Sequence, residues 1–378
     1  MATRRVTYRL YPSRSQAARM AEFLDLHREL YNAALQERRD AWRVCRKSVS
    51  IYDQEKALSE IRQLRPDIVP LTVSAMRGTL RQLDFAFQSF FRRCKEGTKE
   101  KGFPRFKSKT RFNSFTYVDG SGWKLLAGRL RLTNIGTMQA RGQARTLGTP
   151  KTLTVMNRNG KWYASVTVEC EPQRQCSGVR PVGLDLGLKN LATLSNGEVI
   201  LNPRHLSRLL SRLRSEQRSL SRKKRGSHRY EKQRQLIKRL QEHVANARKD
   251  YLHKVTSRLI SEHNGIAVER MLVAGMNANG GARKRGLNRS IADAAWGLMY
   301  QMLEYKAGEA GIRYIEVDPR RHAPTQTCSR CGERAKKELS ERTHHCSACG
   351  LTIDRDVNAA INVLNIAFGP GTGPCVEG

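Results

Sequence analysis

The 378 residues carry 69 Lys and Arg against 34 Asp and Glu, a formal charge of +35, with 39% hydrophobic residues. A hydrophobic share this ordinary supports two or three domains with cores of their own. The positive excess runs the length of the chain and repels itself unless a polyanion neutralises it, so RNA or DNA is the expected partner. No apolar run approaches the roughly 18–20 residues of a membrane span. The opening "MATRRVTYRLYP" is too polar and basic for a signal peptide. No membrane partner and a cytoplasmic location are therefore expected.

"RRVTYRLYP" alternates as a strand does and stops at Pro12, and Ser13 with Gln16 three residues on makes a capping-box signature. The helix it opens puts Met20, Phe23, Leu24, Leu30, Tyr31 and Ala34 on one apolar face. A second helical stretch, from about Thr72 to Arg93, carries Val73, Met76, Leu80, Leu83, Phe87 and Phe90. Residues 13–95 thus read as mostly helical, a bundle with these faces as its core. The pattern changes at "KGFPRFKSK" (Lys101 to Lys109), followed by the alternating runs "SFTY", "RLRLTNI" and "TLTVMNRNGKWYASVTVE". Asn159-Gly160 inside the last run is a strong hairpin signal. Residues 110–170 are expected to form a small β-barrel or sandwich, which the strand near Val6 joins. Trp123 and Trp162 fit its core better than they fit a base-stacking role. "EPQRQCSGVRP" reads as a linker.

From Val182 the strands "VGLDLGL", "NLATLSN" and "EVILN" precede a long helical region, then the strand "GIAVER", the helix "IADAAWGLMYQMLEYKAGEAG" and the strand "IRYIEVD". The order describes a mixed α/β domain. Residues 204–249 hold 16 Lys and Arg and three acids, Glu216, Glu231 and Glu242, with a break at Gly226. That imbalance is too one-sided for salt-bridge lacing. It points to contact with phosphates, with Arg222, Lys223, Lys224 and Arg225 at the break as candidates. Arg105 and Lys107 in "KGFPRFKSK" are further candidates. Arg283, Lys284 and Arg285, in the Gly-rich stretch "NANGGARKRGLNRS", belong either to a lid over single-stranded DNA or to a plain surface loop.

Carboxylates inside core strands of so basic a chain need a reason. Alternation puts Asp185 on one strand face with Gly183 and Gly187, and Glu269 on another with Gly265 and Ala267. Such small neighbours would leave room for ions and a phosphodiester. In "LTIDRDVNAAINVL", a helix beginning near Asp354 and turning about 100° per residue aligns Asp356 with Ala360, Val363, Leu364 and Ala367. Asp354 falls on nearly the opposite side, where an N-cap role suits it. Asp185, Glu269 and Asp356 are then the candidate catalytic residues and ligands of two Mg²⁺ ions, with Mn²⁺ an alternative. Paired ions of this kind sit about 3.5–4 Å apart and activate water for phosphodiester hydrolysis.

The nine cysteines divide unevenly. Cys328, Cys331, Cys346 and Cys349 form two C-x-x-C pairs, the spacing of a closed, structural four-thiolate Zn²⁺ site. His344 and His345 flank Cys346 as alternative ligands. The cluster falls between "IRYIEVD" and the Asp356 helix, where a metal clip would fix the start of that helix.

"GLDLGLKNLATLSNGE", "AVERM", "PTQTCSRCG", "HHCSACG" and "DRDVNAAINVL", with "GFPRFKSK" and "SFTY" before them, resemble the TnpB family of insertion-sequence proteins, ancestral to type V CRISPR effectors. The resemblance covers nearly the entire chain, least distinctively residues 13–95. It implies an RNA-guided DNA endonuclease, a Mg-dependent phosphodiester hydrolase, with Asp185, Glu269 and Asp356 as the RuvC-type acids. In the family, Asp or Asn commonly stands where this chain has Arg270. A nuclease-silent RNA-guided repressor and a guide-free RuvC-like nuclease remain the alternatives. The implied fold is α/β with all-β and helical parts. Residues 1–10 and 96–175 would be a wedge-like β-barrel and residues 11–95 an inserted helical recognition lobe. Residues 176–320 and 351–370 would be a ribonuclease-H-like (RuvC) nuclease domain, residues 321–350 an inserted zinc ribbon, and residues 371–378 a disordered tail. The implied partners are a guide RNA from the transposon end and double-stranded target DNA, bound by one protein chain in a prokaryotic cytoplasm.

Overall fold

The computed structural model describes residues 2–98, 100–142, 148–171, 175–278, 281, 284–335, 338 and 341–370. The expected tail at 371–378 and Arg283 lie outside them, as do three residues of the expected linker. The chain divides into two compact units, Met1–Glu171 and Pro172–Gly378. Among the described residues no helix is long and apolar enough to cross a membrane.

The first unit runs β1 (Ala2–Tyr11), α1 (Arg14–Cys45), α2 (Ile51–Lys56), α3 (Leu58–Leu64) and α4 (Val73–Lys95). Six strands follow: β2 (Ser114–Tyr117), β3 (Trp123–Leu126), β4 (Arg129–Leu132), β5 (Gly136–Arg141), β6 (Thr149–Arg158) and β7 (Lys161–Cys170). Ser13 and Gln16 close the capping box at the head of α1. Asn159 and Gly160, with φ of 52° and 76°, form the two-residue turn between β6 and β7. The double positive φ matches the twist of the flanking strands, which is why Asn-Gly is favoured there.

All pairings in the seven-stranded sheet are antiparallel, in the order β2-β6-β7-β1-β5-β4-β3, so the N-terminal strand holds the centre. Hydrogen bonding among the described residues leaves β2 and β3 at the two ends and does not close a barrel. The helices do not close on a core of their own either. Met20, Phe23, Tyr31, Met76 and Leu83 share one cluster with Phe115, Leu130, Val155 and Trp162 from the sheet. Trp162 is buried there and Trp123 packs against it, as expected of core aromatics. His27 is fully buried, stacked on Phe115 and bonded to the Thr79 hydroxyl at 2.8 Å; burial brings its pKa down to about 3. Val73, expected on the apolar face, is 40% exposed at the first turn of α4.

In the second unit β8 (Pro181–Leu186), β9 (Asn190–Leu194) and β10 (Val199–Leu201) precede α5 (His205–Ser221) and α6 (His228–Glu262). Next come β11 (Gly265–Glu269), α7 (Val273–Ala278), α8 (Arg285–Ala294), α9 (Trp296–Ala310), β12 (Arg313–Val317) and α10 (Pro319–His322). The hairpin β13 (Thr343–His345) and β14 (Thr352–Asp354) leads into α11 (Arg355–Phe368). The sheet order is β10-β9-β8-β11-β12, with β8, β11 and β12 parallel and β9 and β10 antiparallel. The single helix expected over residues 291–311 is two. Ala295 takes a left-handed conformation and ends α8 by returning its N–H to the Ile291 carbonyl. The second half of the expected linker is docked: the Ser177 N–H meets the Ser261 carbonyl, and the Cys176 thiol meets the His263 carbonyl at 3.1 Å.

The small residues beside the candidate acids have a different use from the one expected. A Cβ on Gly183 would lie 2.1 Å from the Ala360 carbonyl oxygen, and one on Gly265 would lie 2.6 Å from the Phe368 ring. Ala267 is fully buried against Val363. The cleared face is the seat of α11 rather than space for ions. Gly183→Ala pushes against helix backbone, whereas the Phe368 ring opposite Gly265 can swing aside. Overpacking of this kind costs about 1–3 kcal/mol, roughly a 2–12 °C fall in melting temperature for a unit of this size. Thermal unfolding should therefore show Gly183→Ala well below wild type and below Gly265→Ala. Equal melting temperatures would contradict this packing.

Candidate active site and metal cluster

Asp185 and Glu269 stand near the C-terminal ends of neighbouring parallel strands. The register pairs Ala267 with Gly183 and Val268 with Leu184, and one further step sets Glu269 beside Asp185. Adjacent strands lie roughly 4.8 Å apart, within reach of two carboxyls. The two side chains are hydrogen-bonded to each other. Burial, followed by the charges of Glu269 and Asp356, pushes the Asp185 carboxyl well above the usual range. Burial also raises Glu269, which is 7% exposed. Neighbouring carboxyls that are partly withdrawn from water resist ionising together.

Asp356 arrives on α11. Asp354 is the N-cap, its Oδ1 accepting the Asp356 N–H at 2.8 Å and the Val357 N–H at 3.1 Å. Ala360, Val363 and Leu364, on the Asp356 side of the helix, are fully buried. Asp185 and Glu269 are thus hydrogen-bonded neighbours, Asp356 acts on Asp185 through its charge, and Asp354 is a cap. Arg355 is 9% exposed; its guanidinium pairs with Asp356 at 3.3 Å and donates to the Glu341 carbonyl at 2.8 Å.

The Arg270 side chain turns from the acids to pair with Glu316, and its guanidinium lies 5.1 Å from the centre of the Tyr300 ring. The Tyr300 hydroxyl donates to the Glu269 carbonyl at 2.9 Å and accepts the Met271 N–H at 3.1 Å. It thereby clamps the end of β11. Another buried acid, Asp293, is structural: it accepts the Leu206 N–H at the head of α5 and pairs with Arg248 at 2.7 Å.

The sulfurs of Cys328, Cys331, Cys346 and Cys349 all lie within 4.8 Å of one another. Cys328 and Cys349 are 3.6 Å apart, and Cys331 and Cys346 are 3.5 Å apart. A tetrahedron with Zn–S bonds of about 2.3 Å has edges of roughly 3.8 Å, so the cluster fits one zinc ion. Backbone N–H groups of Cys349 and Ala348 bring the Cys346 thiol down to about 7. Burial and the neighbouring sulfurs push Cys331 and Cys349 the other way. His345 instead bonds the Thr352 hydroxyl through Nδ1, and His344 is buried outside the four-sulfur group.

Two asparagines tie this cluster to α11. Asn358 accepts the Ser329 N–H at 2.9 Å and donates to the Thr327 carbonyl at 2.8 Å. Asn362 donates to the carbonyls of Pro324 and Thr327. The sequence reading missed Tyr300, Arg355, Asn358 and Asn362. The four-residue spacing in "NAAIN" was a signal for the last two, since it puts both amides on one helical face.

Among the expected nucleic-acid contacts, Arg222, Lys224 and Arg225 are exposed in the turn between α5 and α6. Lys223 beside them bonds the Ser219 hydroxyl at 2.7 Å. Arg105 is exposed, while the Lys107 ammonium sits 5.6 Å from the Tyr31 ring centre. Lys284 precedes α8 and Arg285 begins it.

Comparison with known proteins bears on both centres. A family model described as "Probable transposase" matches residues 165–280, which include Asp185 and Glu269. A "Cas12f1-like, TNB domain" model matches residues 296–363, which include the four cysteines and Asp356. A "Helix-turn-helix domain" model matches residues 1–47, where the structure has β1 and the single helix α1. A Streptomyces pristinaespiralis protein named "Putative RNA-guided DNA endonuclease" is 33% identical, over 98% of this chain and 90% of its own length. An Escherichia coli K12 protein, "Putative RNA-guided DNA endonuclease InsQ", is 32% identical over 94% of this chain and 90% of its own. In the solved Cas12f1-sgRNA-target DNA complex, the matching chain has a similar fold (TM-score 0.57, 15% identity, 93% of this chain and 82% of that one). With a relative one-third identical along almost its entire length, the chain belongs to the TnpB-like family of RNA-guided DNA endonucleases.

Proposed function

We propose that the protein is a guide-RNA-directed DNA endonuclease that hydrolyses phosphodiesters at Asp185, Glu269 and Asp356 with the help of two Mg²⁺ ions. The strand register that sets Asp185 beside Glu269, with Asp356 placed to act on Asp185 by its charge, carries this reading. In a chain with about twice as many basic as acidic residues, acids gathered at neighbouring strand ends suit a cation site, and hard divalent ions suit carboxylate oxygens. When bound, the ions supply an activated water and neutralise charge on the departing oxygen. The chain's own work is positional. Adjacent strands hold Asp185 and Glu269, and the Asp354 cap and the Arg355 pair hold Asp356. A bound cation would be held by the carboxylates of Asp185, Glu269 and Asp356 and would offset the charge they crowd together.

The four cysteines hold a structural zinc with no open position for substrate. Through Asn358, Asn362 and Arg355 that zinc knuckle fixes the first turns of α11, and so the third acid. In the same reading residues 176–320 and 351–370 are a ribonuclease-H-like (RuvC) domain and residues 321–350 a zinc ribbon. The seven-stranded sheet and helices α1–α4 serve as wedge and recognition lobe. Base pairing to the guide reads the target beyond a short motif, and the basic turn at residues 222–225 grips backbone phosphates.

The purified protein–RNA complex should cut matched DNA only with a divalent ion present. Asp185→Ala should lower the rate by more than the roughly 10–100-fold that an outer-shell change costs, while target binding persists. Undiminished cutting by Asp185→Ala removes the acids from the mechanism. Binding without cutting by the wild type, with either Mg²⁺ or Mn²⁺, would favour an RNA-guided repressor. Cys346→Ser should lower zinc content, melting temperature and cutting together. Full cutting by zinc-free protein would overturn the positional role of the cluster.

A further inference from the structure

The helices of the first unit leave a cavity of about 810 Å³ beside the end of α1 and the last turns of α4. Its walls are aromatic and largely uncovered: Trp42 is 56% exposed, Tyr52 73%, Phe91 61% and Phe103 45%. Phe87, Phe91 and Phe103 pack as one wall, with ring centres 6.2 Å and 5.5 Å apart across Phe87. The loop bearing Phe103 is fastened to α4 by Arg93, which donates to the carbonyls of Lys101 and Gly102 at 2.6 and 2.9 Å.

Aromatic faces left in water at this density mark a binding surface. The lining also holds Arg38, Arg39, Arg43 and Lys47 against Asp40 and Asp84; Arg38 pairs with Asp84 at 3.0 Å and Arg43 with Asp40 at 3.8 Å, so Arg39 and Lys47 are the excess positive charge. Arg46 adds a guanidinium 6.0 Å from the Trp42 ring centre. An aliphatic protein segment would use the rings and gain nothing from the cations. A nucleotide uses both, its base stacking on the rings and its phosphate meeting the positive rim. The volume falls within the roughly 300–1,000 Å³ of pockets that enclose a small ligand.

We infer that this cavity binds an unpaired nucleotide of a single-stranded segment, held by base stacking on Trp42, Tyr52 and Phe91. The site is independent of the nuclease reading, because it involves no acid of the candidate centre and its test measures no cleavage.

Trp42 is the indole that reports on the cavity, since Trp162 and Trp296 are buried and Trp123 packs on the core. The full chain, titrated with hexauridylate and separately with hexathymidylate at fixed salt, should show quenched indole emission that vanishes in Trp42→Phe. Tyr52→Ala and Phe91→Ala should each weaken binding by about tenfold, as loss of one stacking partner does. The circular dichroism melt of Tyr52→Ala should stay unchanged, because its side chain is exposed, and that of Phe91→Ala should fall only slightly, because its ring is mostly exposed but packs on Phe87. The tighter hexamer identifies RNA or DNA as the source of the nucleotide. Quenching that persists in Trp42→Phe overturns the site, as does affinity unmoved by either alanine variant. Concentration-dependent self-association that Tyr52→Ala abolishes, with no response to either hexamer, overturns it in favour of a second copy of the chain.

Discussion

The approach of α11 to the strand pair β8 and β11 is the constraint on which the candidate site depends. A helix seated on a sheet normally stands off by the thickness of two side-chain layers. Here Gly183 has no side chain, and its Cα faces the Ala360 carbonyl directly. Gly265 and Ala267 continue the cleared track along β11, under Phe368 and Val363. The helix therefore rests deep enough for Asp356, in its first turn, to act on Asp185 by charge. Asp185, Glu269 and Asp356 are separated by 84 and 87 positions in the sequence, and two strands and one helix carry them to neighbouring places in the second unit.

Seating alone sets depth but not rotation or where the helix begins. Those are fixed at its N-terminus by polar groups. Asp354 caps the first turn, Arg355 reaches back to the Glu341 carbonyl, and Asn358 and Asn362 hold the loop of the cysteine cluster. Each bond satisfies backbone groups that would otherwise be left bare near the helix start. The opposite end of the site is fixed in the same manner, with Tyr300 bonded to the backbone on both sides of Arg270. Acids that repel one another stay together because neighbouring elements hold their backbones.

Much of this was legible in the sequence because it rests on local rules. The capping box at Ser13, the Asn-Gly turn, the break at Gly226 and the Asp354 cap each follow from a few neighbouring residues. Periodicity alone separated Asp356 from Asp354. Small residues beside Asp185 and Glu269 were also visible, but their purpose was not. A glycine in a strand signals close approach without saying what approaches, and a helix more than 170 residues downstream of Gly183 fills the space. For the same reason the sequence could not show that the N-terminal helices and the sheet share one core, or that Arg270 turns toward Glu316. Tyr300 acts through backbone partners, which leave no mark on side-chain pattern, and the spacing of Asn358 and Asn362 shows a shared helical face without showing what it meets.

The central claim is that Asp185, Glu269 and Asp356 form one divalent-cation site. Anomalous diffraction from crystals of the protein–RNA–DNA complex grown with Mn²⁺ tests it most directly. The account predicts two manganese peaks about 4 Å apart, both ligated by oxygens of this trio. Well-ordered carboxylates with no manganese among them, in crystals that bind Mn²⁺ elsewhere, would contradict it.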